Sequence, residues 1–94
     1  MAIEVHGYKH SIGDFQPLRL RRTALARGLE FVRAGMVIEA DGKPGLILDG
    51  NDSGNFDVIF TISGLPGNGH IGNVHPRWKT RYFDEQGNVI QEFL

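Results

Sequence analysis

The sequence predicts a mainly β fold of the α+β class: a small twisted antiparallel sheet curling toward a barrel, with one helix or helical turn in residues 17–33. Two observations lead there. Thirteen glycines cluster between apolar runs, as in domains built from short strands and tight turns. The runs after residue 35 are rich in β-branched and aromatic residues. A chain of 94 residues is long enough for one core, so residues 1–94 are expected to form a single domain.

The first third of the chain allows two interpretations. A helical stripe is formed by the apolar residues Leu18, Leu25, Leu29, Val32 and Met36. Pro17 suits the first turn of such a helix, whereas Gly28 would weaken its interior. The alternative is a strand over residues 15–21, where leucine and arginine alternate, then a helical turn over 23–27 and a strand from Leu29.

Two hairpins are predicted in the middle of the chain. The strand "MVIEA" (36–40) is separated from "LILD" (46–49) by residues 41–45, which carry Asp-Gly and Pro-Gly turn signals. A polar loop then leads to the strand "FDVIFTI" (56–62). Gly54 is expected at a positive-φ position in that loop.

A third hairpin is predicted at the C-terminal end, where "WKTRYFD" and "VIQEFL" enclose "EQGN". Pairing Asp84 with Val89 would place Tyr82 opposite Gln91, Arg81 opposite Glu92 and Thr80 opposite Phe93. One face would then carry the residues of the core, which are Trp78, Tyr82, Val89 and Phe93. The other face would carry the pair of Arg81 and Glu92.

Residues 34–60, "AGMVIEADGKPGLILDGNDSGNFDVIF", resemble the opening of SH3-like small barrels of the KOW type. The matching features are Gly35 before a strand, Gly42 and Gly45 in the first turn, and alternating apolar residues on either side. The resemblance implies an SH3-like barrel. Such barrels bind RNA or protein surfaces through basic or aromatic residues, whereas the matching segment here is acidic.

Charge is segregated along a chain whose formal net charge is only −1. Residues 16–33 hold five arginines against one glutamate, and residues 34–76 hold five acidic residues against one lysine. Such alternating blocks usually pair within the fold or across a homo-oligomer. The partner-binding candidates are the cations Arg19, Arg21, Arg22, Arg77, Lys79 and Arg81.

These cations also define an alternative function, which is nucleic-acid binding. In "HPRWKTRYF" the residues Arg77, Lys79 and Arg81 alternate with aromatic and polar residues. Nucleic acid requires an aromatic side chain and a cation on one exposed face. Strict alternation along a strand places them on opposite faces, which favours Trp78 and Tyr82 in the core.

Residues 67–72 match the spelling G-x-G-x-x-G of a dinucleotide-binding turn. That turn must open a helix, but Pro76 disfavours helical geometry at His75. We therefore interpret residues 64–75 as a long glycine-rich connection between strands. A further alternative is a small enzyme or ligand binder with this loop at its site, whose candidate ligand-contacting residues are Asn68, His70, Asn73 and His75.

Metal and cofactor motifs are incomplete. The segment from Asp49 begins like an EF-hand loop, yet Phe60 occupies the twelfth position, where that loop needs a bidentate glutamate. The histidines are spaced as His6-x3-His10 and His70-x4-His75, which suits a metal site only if both segments meet. The chain has no cysteine. The sequence predicts no metal and no cofactor.

No nucleophile elbow, kinase signature or paired-carboxylate motif is present, so no catalytic residue is predicted. The N-terminal segment has no signal-peptide pattern, and no apolar run approaches the ~18 residues of a membrane span. We expect a cytoplasmic, non-catalytic binding or accessory domain without membrane contact. Its expected partner is a protein, with self-association into a homo-oligomer as one form of that contact.

Overall fold

A computed structural model describes the backbone of residues 3–5, 8–10, 16–62 and 65–94, and the side chains of residues 16–60 and 70–94. The elements within these ranges are β1 (Ile3–Val5), β2 (Tyr8–His10), α1 (Leu18–Ala26), β3 (Val37–Ala40), β4 (Lys43–Gly50), β5 (Phe56–Ile62), β6 (Leu65–Val74), β7 (Thr80–Phe83) and β8 (Val89–Phe93).

Six of the strands form one antiparallel sheet in the order β6-β5-β4-β3-β7-β8. Strands β3 to β6 form a meander, because each pairs with the next one along the chain. Strand β7 then returns to pair with β3, and β8 follows it on the outside. Strands β1 and β2 pair separately. The mainly β, α+β class is therefore confirmed, and the sheet is compatible with a small β fold.

Helix α1 confirms the expectation of one helix within residues 17–33. Its inner face buries Leu20, Thr23 and Ala24, which have the spacing i, i+3, i+4. The stripe predicted from the sequence is wrong at two positions, since Leu18 is 58% exposed and Leu25 is 65% exposed. The reason is that α1 ends at Ala26, so the later apolar residues of the stripe, Leu29, Val32 and Met36, reach the core from turns that follow the helix.

The alternative interpretation of this segment is wrong where the structure describes it. Residues 18–26 are helical and not extended, and residues 29–36 form turns rather than a strand. Gly28 lies beyond the helix with φ +73°, where glycine is favoured and carries no helix-interior cost.

The first hairpin is confirmed, but its turn is shorter than residues 41–45. Only Asp41 and Gly42 connect β3 to β4, and both have left-handed φ angles, +50° and +80°. This is the geometry that a two-residue hairpin of right-twisted strands requires. Residues 43–45 belong to β4, where Lys43 pairs with Ala40.

The second hairpin is also confirmed, with a loop over residues 51–55. Gly54 has φ +73°, as predicted. The Asn51 side chain organises the loop, because its Oδ1 accepts hydrogen bonds from the backbone N–H groups of Ser53 (3.0 Å) and Asn55 (3.1 Å). The segment that resembles half an EF-hand is thus a hairpin loop between two strands.

The interpretation of residues 64–75 as a long loop is wrong. Residues 65–74 form β6, a ten-residue strand that pairs regularly with β5 from Phe56 opposite Val74 to Thr61 opposite Gly69. After an irregularity, Ile62 pairs with Leu65. Ladder hydrogen bonds use only backbone groups, so a glycine-rich segment can complete a sheet when a neighbouring strand offers a partner. The chain continues from β6 through a turn into β7, not into a helix.

Three pairs of the C-terminal hairpin were predicted correctly: Thr80 with Phe93, Arg81 with Glu92 and Tyr82 with Gln91. The fourth pair is wrong. An irregularity between Tyr82 and Phe83 places Phe83, and not Asp84, opposite Val89.

The core lies between α1 and one face of the sheet, and Tyr82 is at its centre. Its ring makes edge-on contacts with Phe31, Phe56 and Phe93, with centroids 5.5 to 6.4 Å apart. The prediction that Trp78 and Val89 also lie on the core face is wrong, because these side chains are 56% and 47% exposed.

Candidate functional site

Three of the four loop candidates meet at one cavity. His70, Asn73 and His75 line a concavity of about 200 Å³ together with Trp78, at the C-terminal half of β6. The remaining lining residues are Ala40, Asp41, Lys43, Phe60 and Val74. The fourth candidate, Asn68, lies on β6, but its side chain is outside the described residues.

The two histidines of this cavity have different surroundings. The His70 ring stacks on Phe60 with the centroids 5.6 Å apart. His75 Nδ1 accepts a hydrogen bond from the backbone N–H of Arg77 at 3.1 Å. No hydrogen bond or ion pair within the described residues joins either histidine to a carboxylate. Both imidazoles can act as hydrogen-bond partners for a ligand, and the Asp41 carboxylate lines the same cavity.

The turn that presents Trp78 is held from inside the core. The carbonyl oxygen of Pro76 accepts hydrogen bonds from the Tyr82 hydroxyl (2.5 Å) and from Thr80 Oγ1 (3.0 Å). Burial raises the pKa of Tyr82 well above its ordinary value, although the hydrogen bond with Thr80 opposes this. The hydroxyl therefore keeps its proton, and keeps donating, to a more alkaline pH than that of an exposed tyrosine.

Backbone geometry at Lys79 decides which side chains share a surface. Its φ is +49°, so the regular alternation of a strand does not extend through this position. Lys79 Nζ lies 5.0 Å from the centre of the Trp78 ring. The expectation that aromatic and cationic side chains point to opposite faces is therefore wrong for this pair.

The three cations of this segment are all engaged within the protein. Arg77 lies over the Phe93 ring at 4.8 Å and donates to the carbonyl oxygen of Arg27 at 3.2 Å. Arg81 Nε pairs with Glu92 at 2.7 Å, as the predicted register requires. Lys79 and Arg81 also line a second concavity of about 280 Å³, which shares Asp41 with the first.

The helix arginines belong to another surface. Arg19 pairs with Asp49 at 3.4 Å and with Asp52 at 3.6 Å, so part of the basic block meets the acidic block within the fold. Arg21 and Arg22 make no ion pair within residues 16–62 and 65–94. They line a groove of about 630 Å³ beside α1. The six predicted cations are thus divided between two surfaces.

The free edge of the sheet is a feature that sequence reasoning did not locate. In the described part of the chain, β6 pairs on one side only, with β5. Ile71 of β6 is 63% exposed. The apolar run of β5 indicates a neighbouring strand, but the glycines that follow it favour a loop in the sequence.

No group of three or more histidine, aspartate or glutamate side chains in the described ranges is arranged to hold a metal ion. His6 lies outside the described residues, as does the side chain of His10. No helix that the structure describes is both long and apolar enough to cross a membrane.

Comparison with known proteins adds no relative. No family model, no curated protein and no solved structure matches the chain.

Proposed function

We propose that this chain is a small non-catalytic protein-binding domain that accepts a β-strand along the free edge of β6. The observation that carries the proposal is that β6, with ten residues, is the longest strand described and pairs only with β5. Its outer edge therefore presents backbone donors and acceptors, which are a template for another strand.

The two edges of the sheet differ in how they are protected. Strand β8 has only five residues and carries Glu92, and both features discourage pairing. Strand β6 contains no Lys, Arg, Asp or Glu, and its one proline, Pro66, lies near its start. From Gly67 to Val74 nothing in the sequence blocks the addition of a strand.

A row of apolar side chains across four strands also favours the addition of a strand at β6. Ile71 is opposite Ile59, which is opposite Leu46, which in turn is opposite Val37. Exposure rises from 0% at Val37 to 63% at Ile71. A strand added beside β6 would place its own side chain next to Ile71 and extend the row.

A second copy is the partner that this edge suits best. Two β6 strands related by a two-fold axis would pair antiparallel, which is the isologous contact that closes a dimer. Neither strand brings a charge that would repel the other.

We further propose that the sheet is an SH3-like barrel with β8 added. The pairing of β7 with β3, after the turn at residues 76–79, supports this likeness.

The test is the oligomeric state of the intact chain, measured by native mass spectrometry and sedimentation velocity at several concentrations. We expect a dimer, and we expect Ile71→Lys to dissociate it because a cation would be placed at the new strand pair. The matched control is Ile90→Lys on the opposite edge strand, which should leave the dimer intact. A monomer at every concentration, with β6 amides exchanging hydrogen as slowly as those of β5, would refute the free edge.

A second candidate function, binding of single-stranded nucleic acid, is favoured by one observation. The exposed Trp78 ring and Lys79 share a surface, which base stacking and phosphate neutralisation require together. It ranks second because this surface has little net positive charge. The two neighbouring concavities carry the cations Lys43, Lys79 and Arg81 and the carboxylates Glu39 and Asp41. In addition, Glu92 neutralises Arg81.

Trp78 is the only tryptophan, so its fluorescence reports directly on this surface. Binding of an oligonucleotide should quench the emission, and the affinity should fall steeply with salt as counterions are released. Quenching that does not depend on salt, or no quenching at low ionic strength, would remove this candidate. Arg21→Gln serves as the control, since it removes a cation from the other surface.

A further inference from the structure

Helix α1 has two apolar faces, and the sheet covers only one of them. The inner face carries Leu20 and Ala24, which are buried. Leu18 and Leu25 lie seven residues apart, about two turns, on the opposite side of the helix. Exposed leucines at this spacing form a stripe that a helix normally buries.

Two arginines complete this outer face. Arg21 and Arg22 fall at i+3 and i+4 from Leu18, so they lie between the two leucines on the same side of the helix. Within residues 16–62 and 65–94 they pair with no carboxylate, in contrast to Arg19 on the flank of the helix. The face therefore combines two apolar anchors with two uncompensated positive charges.

The outer face forms one wall of a groove. The opposite wall is the segment after the helix, including Glu30, Val32 and Arg33, and the enclosed volume is about 630 Å³. The Arg33 guanidinium donates to the carbonyl oxygens of Glu30 (2.7 Å) and Val32 (2.9 Å), which holds this wall in shape. Three arginines and one glutamate line the groove, so its charge is positive.

We propose that this α1 groove binds an acidic amphipathic segment of a partner protein. The apolar side chains of that segment would pack on Leu18 and Leu25, and its carboxylates would pair with Arg21 and Arg22. The site differs from the β6 edge in position and chemistry, because here side chains and not backbone groups provide the contacts.

Charge and shape together favour this occupant over others. An electrically neutral segment would leave the two arginines desolvated without partners. An anionic lipid surface would also satisfy the arginines, but the leucines and arginines line a groove, which a narrow peptide enters more readily than a bilayer does. A rod-shaped peptide fits a groove that lies along a helix.

The experiment measures binding of labelled synthetic peptides to the full chain by fluorescence anisotropy. The probe is a helical peptide with leucines at i, i+3, i+4 and i+7 and glutamates on its flanks. The controls are a scrambled peptide of the same composition and a peptide with glutamine for each glutamate. We expect both controls to bind at least about tenfold more weakly, since each lacks one part of the recognition.

Variants of the protein locate the binding. Leu25→Gln should weaken the acidic probe about tenfold by removing one apolar anchor. Arg22→Gln should weaken it about threefold at low salt and less at high salt. Leu48→Gln removes an exposed leucine from β4 and should change nothing. Ile71→Lys should also leave this binding intact, which separates the present inference from the β6 proposal.

Four results would overturn the proposal. They are equal affinity for the acidic and scrambled peptides, binding to anionic vesicles but not to the peptide, loss of self-association in Leu25→Gln, and a lower melting temperature of Leu25→Gln. The last two would mean that a second copy or another part of this chain already covers the face.

Discussion

Helix α1 packs tightly against the sheet at Gly50 of β4, where a side chain would collide with the helix. A Cβ atom at this position would lie 2.6 Å from the Arg19 carbonyl oxygen and 2.8 Å from Thr23 Cβ, and it would also collide with Thr23 Oγ1. Carbon atoms do not approach so closely, and two of these three atoms cannot rotate away because they belong to the helix backbone or to a Cβ. Gly50→Ala must therefore push the helix off β4.

The expected cost follows from two opposing effects. Overpacking of a filled core costs about 1–3 kcal/mol, and the upper part of that range applies because a helix has to move. Alanine also lowers the conformational entropy of the unfolded chain relative to glycine, and this offsets about 0.4–1 kcal/mol of the overpacking cost. We expect a net loss of about 2 kcal/mol at Gly50. For a domain of this size that lowers the melting temperature by about 8–16 °C.

The assay is thermal and urea unfolding of Gly50→Ala, followed by circular dichroism. Thr23→Ala in the same chain removes one of the colliding atoms, so the double variant should recover part of the loss. Gly42→Ala is the control. Its added Cβ meets no atom within 4 Å, so its cost arises from φ +80° alone and should not couple to Thr23→Ala. An unchanged or higher melting temperature for Gly50→Ala would refute the close contact.

Two further predictions concern hydrogen bonds. Tyr82→Phe should cost about 1 kcal/mol, because the Pro76 carbonyl oxygen keeps only the donor Thr80 Oγ1, and denaturant unfolding measures this. The raised pKa of Tyr82 contributes stability that is complete below the unfolded value of about 10 and is lost as pH rises above it, so Tyr82→Phe should flatten the alkaline decline. Hydrogen bonds lower the pKa of Asp84, and the backbone N–H of Asn88 has the largest effect. The stability that these bonds contribute is present above the pKa of Asp84 in the unfolded chain, and it is lost as the pH falls through the pKa in the folded protein. Asp84→Ala should therefore reduce the acid dependence of unfolding, and an unaltered profile would contradict this role.

Local turn chemistry explains the parts of the fold that the sequence predicts. Asp41-Gly42 and Gly54 identify their turns because left-handed φ angles need such residues. The register of β7 with β8 follows from matching apolar and charged positions, and the pair of Arg81 with Glu92 is found at 2.7 Å. These features depend on residues that are close together in the chain.

Features that depend on distant residues were predicted less well. The glycines of β6 have no strand preference of their own, and the segment becomes a strand because β5 supplies a backbone partner. Trp78 is exposed because the Pro76 turn and the left-handed Lys79 direct it outward. Nothing adjacent to Lys79 in the sequence signals that conformation.

The candidate binding surfaces also combine features that the sequence predicts with features that only the tertiary structure shows. The sequence by itself determined which residue types are available: a basic block before residue 34, histidines and asparagines among glycines, and one tryptophan. Only the tertiary structure decided that Arg19 pairs with aspartates while Arg21 and Arg22 meet no acidic side chain among the described residues, and that β6 forms an edge of the described sheet. The physical reason is that composition and local conformation are properties of neighbouring residues, whereas exposure, pairing and strand order depend on which distant segments pack against each other.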